Sequence, residues 1–457
     1  MDVQQVLKFA DELVFTKTGK HLDNLQESIL RGAWQGQRYS QIAEDTNCSE
    51  GHVKDAGSEL WKILSEVLGE DIRKSNFRAT FKRLNFSNFS SSFWKDFIHI
   101  GDFNICGDTP HSSNVSQTKP PSEGNSTPSQ RRRDLREAPD LFPFYGREEE
   151  LATLERWMVT DRPRLVVLHG FSGIGKTALA VQLLQQIQDD FDSVVWRSLR
   201  YSPSVEMLET NLLEFLFHPQ QMDLPANVSD RRSILFDHLR QNRCLIVLDD
   251  VQSILSNQQL AGNYQPGYEG YSLFFKQIAE LSHQSCVLLI TWEPPHELSA
   301  LNGDRAPIRS FHLQGLGPAA EQIFRDKGLV EEDCFSKAIA YFGGNPLWLK
   351  IFAAMIDELF NGRISEGFKY EPLFLGEDLN AVLQQHCDRL SDMEKMALGA
   401  LATQTGSVSA SNLLELVTLS PKDLFNSLHS LKRRSFIKQE QSLFSLPPVL
   451  RQYGKTL

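Results

Sequence analysis

Three spacings of apolar residues divide this chain. Over residues 1–84 they recur at three- and four-residue intervals, with Ile42, Val53, Leu60, Ile63, Leu64 and Leu68 among them, the period of helices buried along one side. Within that stretch, YSQIAEDTNCSEGHVKDAGSELWKILSEVLG predicts a short helix, a turn near Asn47–Ser49 and a longer helix capped by Ser49. That order is a helix-turn-helix. Phe86, Phe89, Phe93, Phe97 and Ile100 extend the spacing as an aromatic stripe, read as a helix packed on this domain, with a partner-binding helix as the other reading.

Between 107 and 130 Val115 is the only large aliphatic residue. Such a stretch cannot offset the entropy of ordering and is expected to be a flexible linker, with Arg131–Arg133 as its solvated basic end.

Further on the pattern changes to short continuous apolar runs: Leu165–Leu168, CLIVLDDV (244–251) and CVLLITW (286–292). Runs of this length, apolar on both faces and separated by helical segments, predict a parallel sheet covered on both sides. GLGPAAEQIFRDKGL and GGNPLWLKIFAAMIDELF then return to helical spacing, and residues 376–457 read as helices followed by a β-hairpin. The chain is therefore multidomain. An all-α domain (1–84) and an aromatic segment with linker (85–141) precede an α/β P-loop nucleotide-binding domain (142–314), a helical segment (315–375) and a C-terminal domain (376–457).

Charge narrows the function. Lys and Arg number 47 against 58 Asp and Glu, a net charge of −11, which disfavours a whole-surface nucleic-acid binder. In residues 1–84 the counts are 12 basic and 13 acidic, and on the longer helix Lys54 and Lys62 are offset by Glu50, Asp55, Glu59 and Glu66. Phosphates would be repelled as often as attracted, so this domain is read as binding a protein rather than DNA. The six cysteines are scattered without CxxC pairs and read as reduced and structural. No apolar run approaches the roughly 20 residues of a membrane span, and a cytoplasmic location is expected.

The chemistry is concentrated after Leu168. GFSGIGKT stands between a strand pattern and a helix pattern. There Gly170, Gly173 and Gly175 let the backbone curl so that N–H groups converge on phosphate oxygens. Ile174 and Ala178 belong to the same cradle. Lys176 would reach the β- and γ-phosphates and Thr177 would ligate Mg²⁺. About seventy residues later the CLIVLDD strand ends in two carboxylates. Asp249 is the candidate Mg²⁺ partner; Asp250 could orient water or cap the loop. Lys176, Asp249 and Asp250 are thus the candidate catalytic residues, ATP or ADP with Mg²⁺ the expected ligand. Adenine is preferred because no NKxD guanine-reading motif occurs. His169, beside the loop, is read as structural.

Taken in order, YGREEEL (145–151), GFSGIGKT (170–177), VVWRSLR (194–200), CLIVLDD (244–250) and GGNPLWLK (343–350) resemble the NB-ARC family of STAND-class P-loop ATPases. The N-terminal helical domain is similar to one that precedes such modules in bacterial proteins. The resemblance implies an ADP/ATP switch in signalling, with 315–375 as lid and 376–457 as winged helix. It implies that Pro346 packs on the nucleotide and that Tyr145, Gly146 and Arg147 line the adenine side. Read locally, Pro346 is also a helix N1 residue capped by Asn345. It further implies a protein effector recruited through residues 1–84 and homo-oligomer formation on activation.

Three departures stand out. The family's phosphate-sensing arginine falls at Trp292, its winged-helix His-Asp pair falls at Pro447 and Pro448, and sensor repeats are not among these 457 residues. Slow ATP hydrolysis and a closed state resting mainly on apolar packing are therefore expected. A nucleotide-regulated DNA-binding transcriptional regulator is the alternative. A metabolic kinase would need a substrate acid/base site that the sequence does not reveal.

Overall fold

The computed structural model describes residues 131–456 apart from 141–142, 218–226, 302, 304–305 and 371–375. It also describes 22–77 with breaks at 36, 38, 47, 69–71 and 75–76, together with residues 7, 10, 11 and 14. The aromatic stripe at 86–100 and the 107–130 linker lie outside the described residues. Two compact units divide the chain at 131/132.

In the first unit α1 (Asn24–Gln35), α2 (Tyr39–Thr46) and α3 (Glu50–Leu68) form the helical core. Ser49 begins α3 as expected, its Oγ accepting from the His52 N–H at 3.3 Å. Ile42, Val53, Leu60 and Leu64 are buried, while Phe77 fills the gap between Trp34 and Trp61. The Trp61 indole N–H donates to the Tyr39 hydroxyl at 2.8 Å, satisfying a polar group that packing would otherwise strand.

The second unit is built on a six-stranded parallel sheet in the order β1-β3-β4-β5-β2-β6. Its strands are β1 (Arg132–Asp134), β2 (Leu165–His169), β3 (Ser193–Ser198), β4 (Cys244–Asp249), β5 (Cys286–Thr291) and β6 (Ile308–His312). Alternate residues of each strand serve opposite faces. Val167, Ile246 and Leu289 pack with α6 (Val205–Leu216) and α8 (Gly270–Glu280), while Val166, Val247 and Leu288 pack with α4 (Glu148–Glu155) and α5 (Lys176–Ile187). A further helix, α7 (Val228–Gln241), precedes β4.

Strand β1 corrects the expected linker end. Arg132–Asp134 pairs in parallel register with Ser193–Val195. Arg132 donates to the carbonyls of Phe215 (3.3 Å) and Leu216 (2.6 Å), and Arg133 to those of Gln188 (2.6 Å) and Phe191 (3.0 Å). These basic residues satisfy carbonyls at helix ends rather than water. Asp134 pairs with Arg197 at 2.7 Å in the interior.

Beyond the sheet lie α9 (Glu321–Asp326), α10 (Phe335–Tyr341), α11 (Pro346–Phe360) and α12 (Ile364–Gly367). They are followed by α13 (Gly376–Asp388), α14 (Asp392–Thr403), α15 (Ala410–Leu416), α16 (Pro421–Arg433) and α17 (Pro448–Gly454). A small antiparallel sheet, order β7-β9-β8, is made by β7 (Val408–Ser409), β8 (Lys438–Glu440) and β9 (Leu443–Ser445). Among the described residues no helix is long and apolar enough to cross a membrane.

Candidate functional site

Sheet order fixes where the chemistry can occur. Strand β5 lies between β2 and β4, so the residues after β5 sit between the glycine loop and Asp249, at the carboxyl ends of parallel strands where ligands bind. Gly170, Gly173 and Gly175 all have positive φ (152°, 74° and 99°). Side chains are excluded at two of them: a Cβ on Gly170 would lie 2.7 Å from the Leu313 carbonyl oxygen, and one on Gly173 only 2.4 Å from Leu347 Cβ.

Helix α5 starts at Lys176, its N-terminus facing the loop. The Lys176 ammonium is folded back, donating to the carbonyls of Gly170 (2.9 Å) and Phe171 (3.0 Å). Burial lowers its pKa to about 8, although Asp249, Asp250 and Glu293 favour the charged form. The Thr177 hydroxyl donates to Asp249 Oδ2 at 3.1 Å, bringing together two hard oxygen ligands, one from the first turn of α5 and one from the end of β4. This donor set suits Mg²⁺, which takes few protein ligands and keeps several waters. Ile174 is buried beneath the loop and Ala178 lies half-buried in the first turn of α5.

Asp250 adopts a left-handed conformation, φ 58°. It accepts from the Ser198 hydroxyl (3.1 Å) and the Gln252 amide (3.0 Å), and lies 3.4 Å from Arg200 Nε. The Tyr145 hydroxyl donates to Asp326, and burial with that carboxylate raises its pKa. Gly146, φ 60°, abuts Ala319. Arg147 is buried and donates to the carbonyls of Ile174 (3.1 Å) and Gln314 (2.7 Å), tying the segment before α4 to the loop. Pro346 opens α11 at N1, and Asn345 caps it by accepting from the Leu347 N–H at 3.0 Å.

Asn345 does more than cap. Its amide donates to the Ser172 carbonyl at 2.9 Å, and the Leu347 N–H reaches the Gly173 carbonyl at 3.3 Å. Helix α11 is thus docked on the glycine loop itself. Aromatic contacts add to this clamp. The His386 ring of α13 is sandwiched between Phe171 of the loop and Trp292, with centroids 4.0 Å from each. Phe436, just after α16, meets Phe171 edge-on at 5.3 Å. Burial holds the His386 pKa well below the usual imidazole value, so the ring is neutral where it stacks.

Next to Trp292 is the buried Glu293. It pairs with Arg389 (2.6 Å) and Arg434 (3.1 Å), and Arg434 also pairs with Glu394 (3.2 Å). Burial alone would raise the Glu293 pKa, but the two guanidinium groups hold it below its usual value. This network corrects the expectation that the C-terminal segment is held mainly by apolar packing. Pro447 and Pro448 are the N-cap and N1 of α17, and the contacts with the loop come instead from His386 and Phe436. Ser435 meets His312 at 2.8 Å, and His312 stacks on His169. His169 is pushed down to about 3 by burial, as a structural residue would be. Only the Asn345 cap had a local signal; the other partners are distant in sequence, 40 residues apart for Arg434 and Glu394 and 141 for Arg434 and Glu293.

Residues 1–84 match the family described as vWA-MoxR associated protein N-terminal HTH, and residues 147–262 match the NB-ARC domain. An uncharacterized WD repeat-containing protein of Nostoc sp. is 38% identical over 335 residues, which cover 70% of this chain and 27% of that protein. The disease resistance protein RRS1B of Arabidopsis thaliana is 27% identical over 224 residues, 48% of this chain and 15% of the relative. The chain thus spans about a quarter or less of the length of these curated relatives. Among solved structures, a Walker-type ATPase of Pyrococcus abyssi aligns with 15% identity and a TM-score of 0.46, over 68% of this chain and 96% of its own; a likeness that distant carries no argument.

Proposed function

We propose, from the NB-ARC match over residues 147–262 and the helix-turn-helix match over residues 1–84, that this chain is a STAND-class P-loop ATPase of the NB-ARC family and an ATP- and ADP-binding signalling switch. Nucleotide would control how the segment from 315 onward closes on the glycine loop, and closure would control recruitment of a protein effector through residues 1–84. One observation carries this reading: Asn345 and Leu347 at the start of α11 are bonded to the Ser172 and Gly173 carbonyls, within the loop that would hold phosphate. Phosphate binding and closure therefore act on the same loop. A ligand shifts such an equilibrium by its differential affinity for the two arrangements.

In this reading Lys176 would hold the phosphates, and Thr177 and Asp249 would hold Mg²⁺, which would offset phosphate charge. Tyr145, Gly146 and Arg147 lie toward the adenine and Pro346 packs on the nucleotide. Residues 315–375 act as the lid. The order helix, strand, two helices, two strands from α14 to β9 supports reading 376–457 as a winged helix. Hydrolysis is slow, since Trp292 supplies no charge to a developing phosphate. The exposed side of α3 carries Lys54, Asp55, Glu59 and Lys62, and Lys54 is paired with Glu50 at 2.7 Å; this mixed surface suits a protein partner better than a phosphate backbone. Homo-oligomer formation on activation and a cytoplasmic location belong to the same proposal. Curated relatives named as disease resistance proteins accord with a signalling role.

The test is calorimetry with MgADP and MgATP on the full chain and on Lys176→Ala. The substitution removes a charge-assisted contact of about 1.5–3 kcal/mol, a loss of roughly 10- to 150-fold in affinity. Unchanged affinity would refute the assignment.

A further inference from the structure

We infer that Arg200 is the residue by which this chain distinguishes a nucleoside triphosphate from a diphosphate, an inference that rests on the nucleotide-switch reading above. The terminal phosphate of a triphosphate brings added negative charge, which a P-loop site must meet with a cation beyond the loop lysine. Trp292, after β5, has an indole N–H but no charge.

Four other guanidinium groups near the loop are engaged elsewhere, Arg433 with the Pro294 carbonyl at 2.6 Å. Arg147 is bonded to the carbonyls of Ile174 and Gln314. Arg389 and Arg434 are paired with the buried Glu293.

Arg200 is placed differently. Ser198 is paired in register with Asp249, and the Leu199 N–H donates to the Asp249 carbonyl at 2.8 Å. Arg200 therefore leaves β3 at the same level as the carboxylate that would hold Mg²⁺. The Arg200 N–H donates to Ser198 Oγ at 3.3 Å, and its Nε lies 3.4 Å from Asp250 Oδ2. Contacts run without a break from Thr177 through Asp249 and Asp250 to Arg200.

Both members of the Arg200–Asp250 pair are about one-fifth exposed, at 21% and 22%. A pair this accessible is screened and weakly held, so its guanidinium can exchange Asp250 for a phosphate oxygen without leaving a buried charge behind. The deeper pairs of Glu293 cannot do so. Asp250 keeps its bonds from Ser198 and Gln252 when Arg200 moves.

The experiment is calorimetry of the full chain with MgADP and with a non-hydrolysable ATP analogue, comparing the natural protein, Arg200→Ala and Arg200→Lys. In Arg200→Ala, triphosphate affinity should fall by roughly 10-fold or more while diphosphate affinity changes less than about 2-fold. The retained diphosphate binding doubles as the check on folding. Arg200→Lys should recover part of the loss. If the natural protein binds both nucleotides and Arg200→Ala lowers both equally or neither, Arg200 is structural and this inference falls alone. If the natural protein binds neither nucleotide, the switch reading falls and takes this inference with it.

Discussion

The two walls of the candidate nucleotide site are built on different principles. On the loop wall, Gly170, Gly173, Gly175, Lys176 and Thr177 sit within eight residues, and only Asp249 comes from elsewhere. On the facing wall, Asn345, His386, Arg389, Arg434 and Phe436 come from three separate helices and the residues that flank them; a cap and a stacked ring meet the loop, and buried ion pairs fasten the wall to Glu293. The loop wall answers to the shape of a phosphate, the facing wall to the interior of this one protein. A shared ligand constrains residue types at fixed spacing; a private interface constrains only volume and charge balance.

The sharpest way to break that contrast is to unbalance the facing wall. Glu293→Gln leaves Arg389 and Arg434 buried with one acid between them, and removing one partner of such a set costs about 3–5 kcal/mol. Denaturant unfolding should show a loss of that size; a loss under 1 kcal/mol would mean the network is solvated. The next effect belongs to the loop wall, the drop in ADP affinity of Lys176→Ala given above, with little change in unfolding.

A smaller change should join the two walls. Asn345→Ala removes an N-cap, costing about 1 kcal/mol, and also the amide bond to Ser172. Stopped-flow displacement of a fluorescent ADP should then show faster release. Identical release rates would separate closure from nucleotide binding.

The smallest effect is set by pH. Lys176 titrates near pH 8 in the folded chain, and phosphate favours its charged form, so ADP affinity should fall as pH rises above about 8. Binding there should take up a proton, seen by calorimetry in buffers of different ionisation enthalpy. The free protein should respond in the opposite sense. Its folded-state pKa lies below the ordinary value of 10.5, so the unfolded chain binds more protons between these limits and the lysine's contribution to stability rises with pH across that window.

The contrast also explains what could be read from sequence. Strand, glycine loop and helix are contiguous, so the loop and Asp249 were legible from spacing, and the Ser49 and Asn345 caps were legible because capping is local. The Glu293–Arg434 pair joins positions 141 residues apart, and neither side carries a periodic or motif signal. His386 sits in an ordinary amphipathic helix; only the fold shows that its ring lies between Phe171 and Trp292. Arg131–Arg133 misled for the opposite reason. Basic residues after a polar stretch usually face water, but here two of the three arginines satisfy carbonyls at the edge of the sheet.

The bond from Asn345 to Ser172 spans 173 residues, and that distance is also an interval of time. At 5–20 residues per second of synthesis, the glycine loop precedes its clamp by roughly 9–35 s. A newly made loop, its strand and the following helix are thus in the cell's nucleotide pool well before α11 exists. Any nucleotide held by the loop during that interval would face one wall only, and the second wall would then close around it.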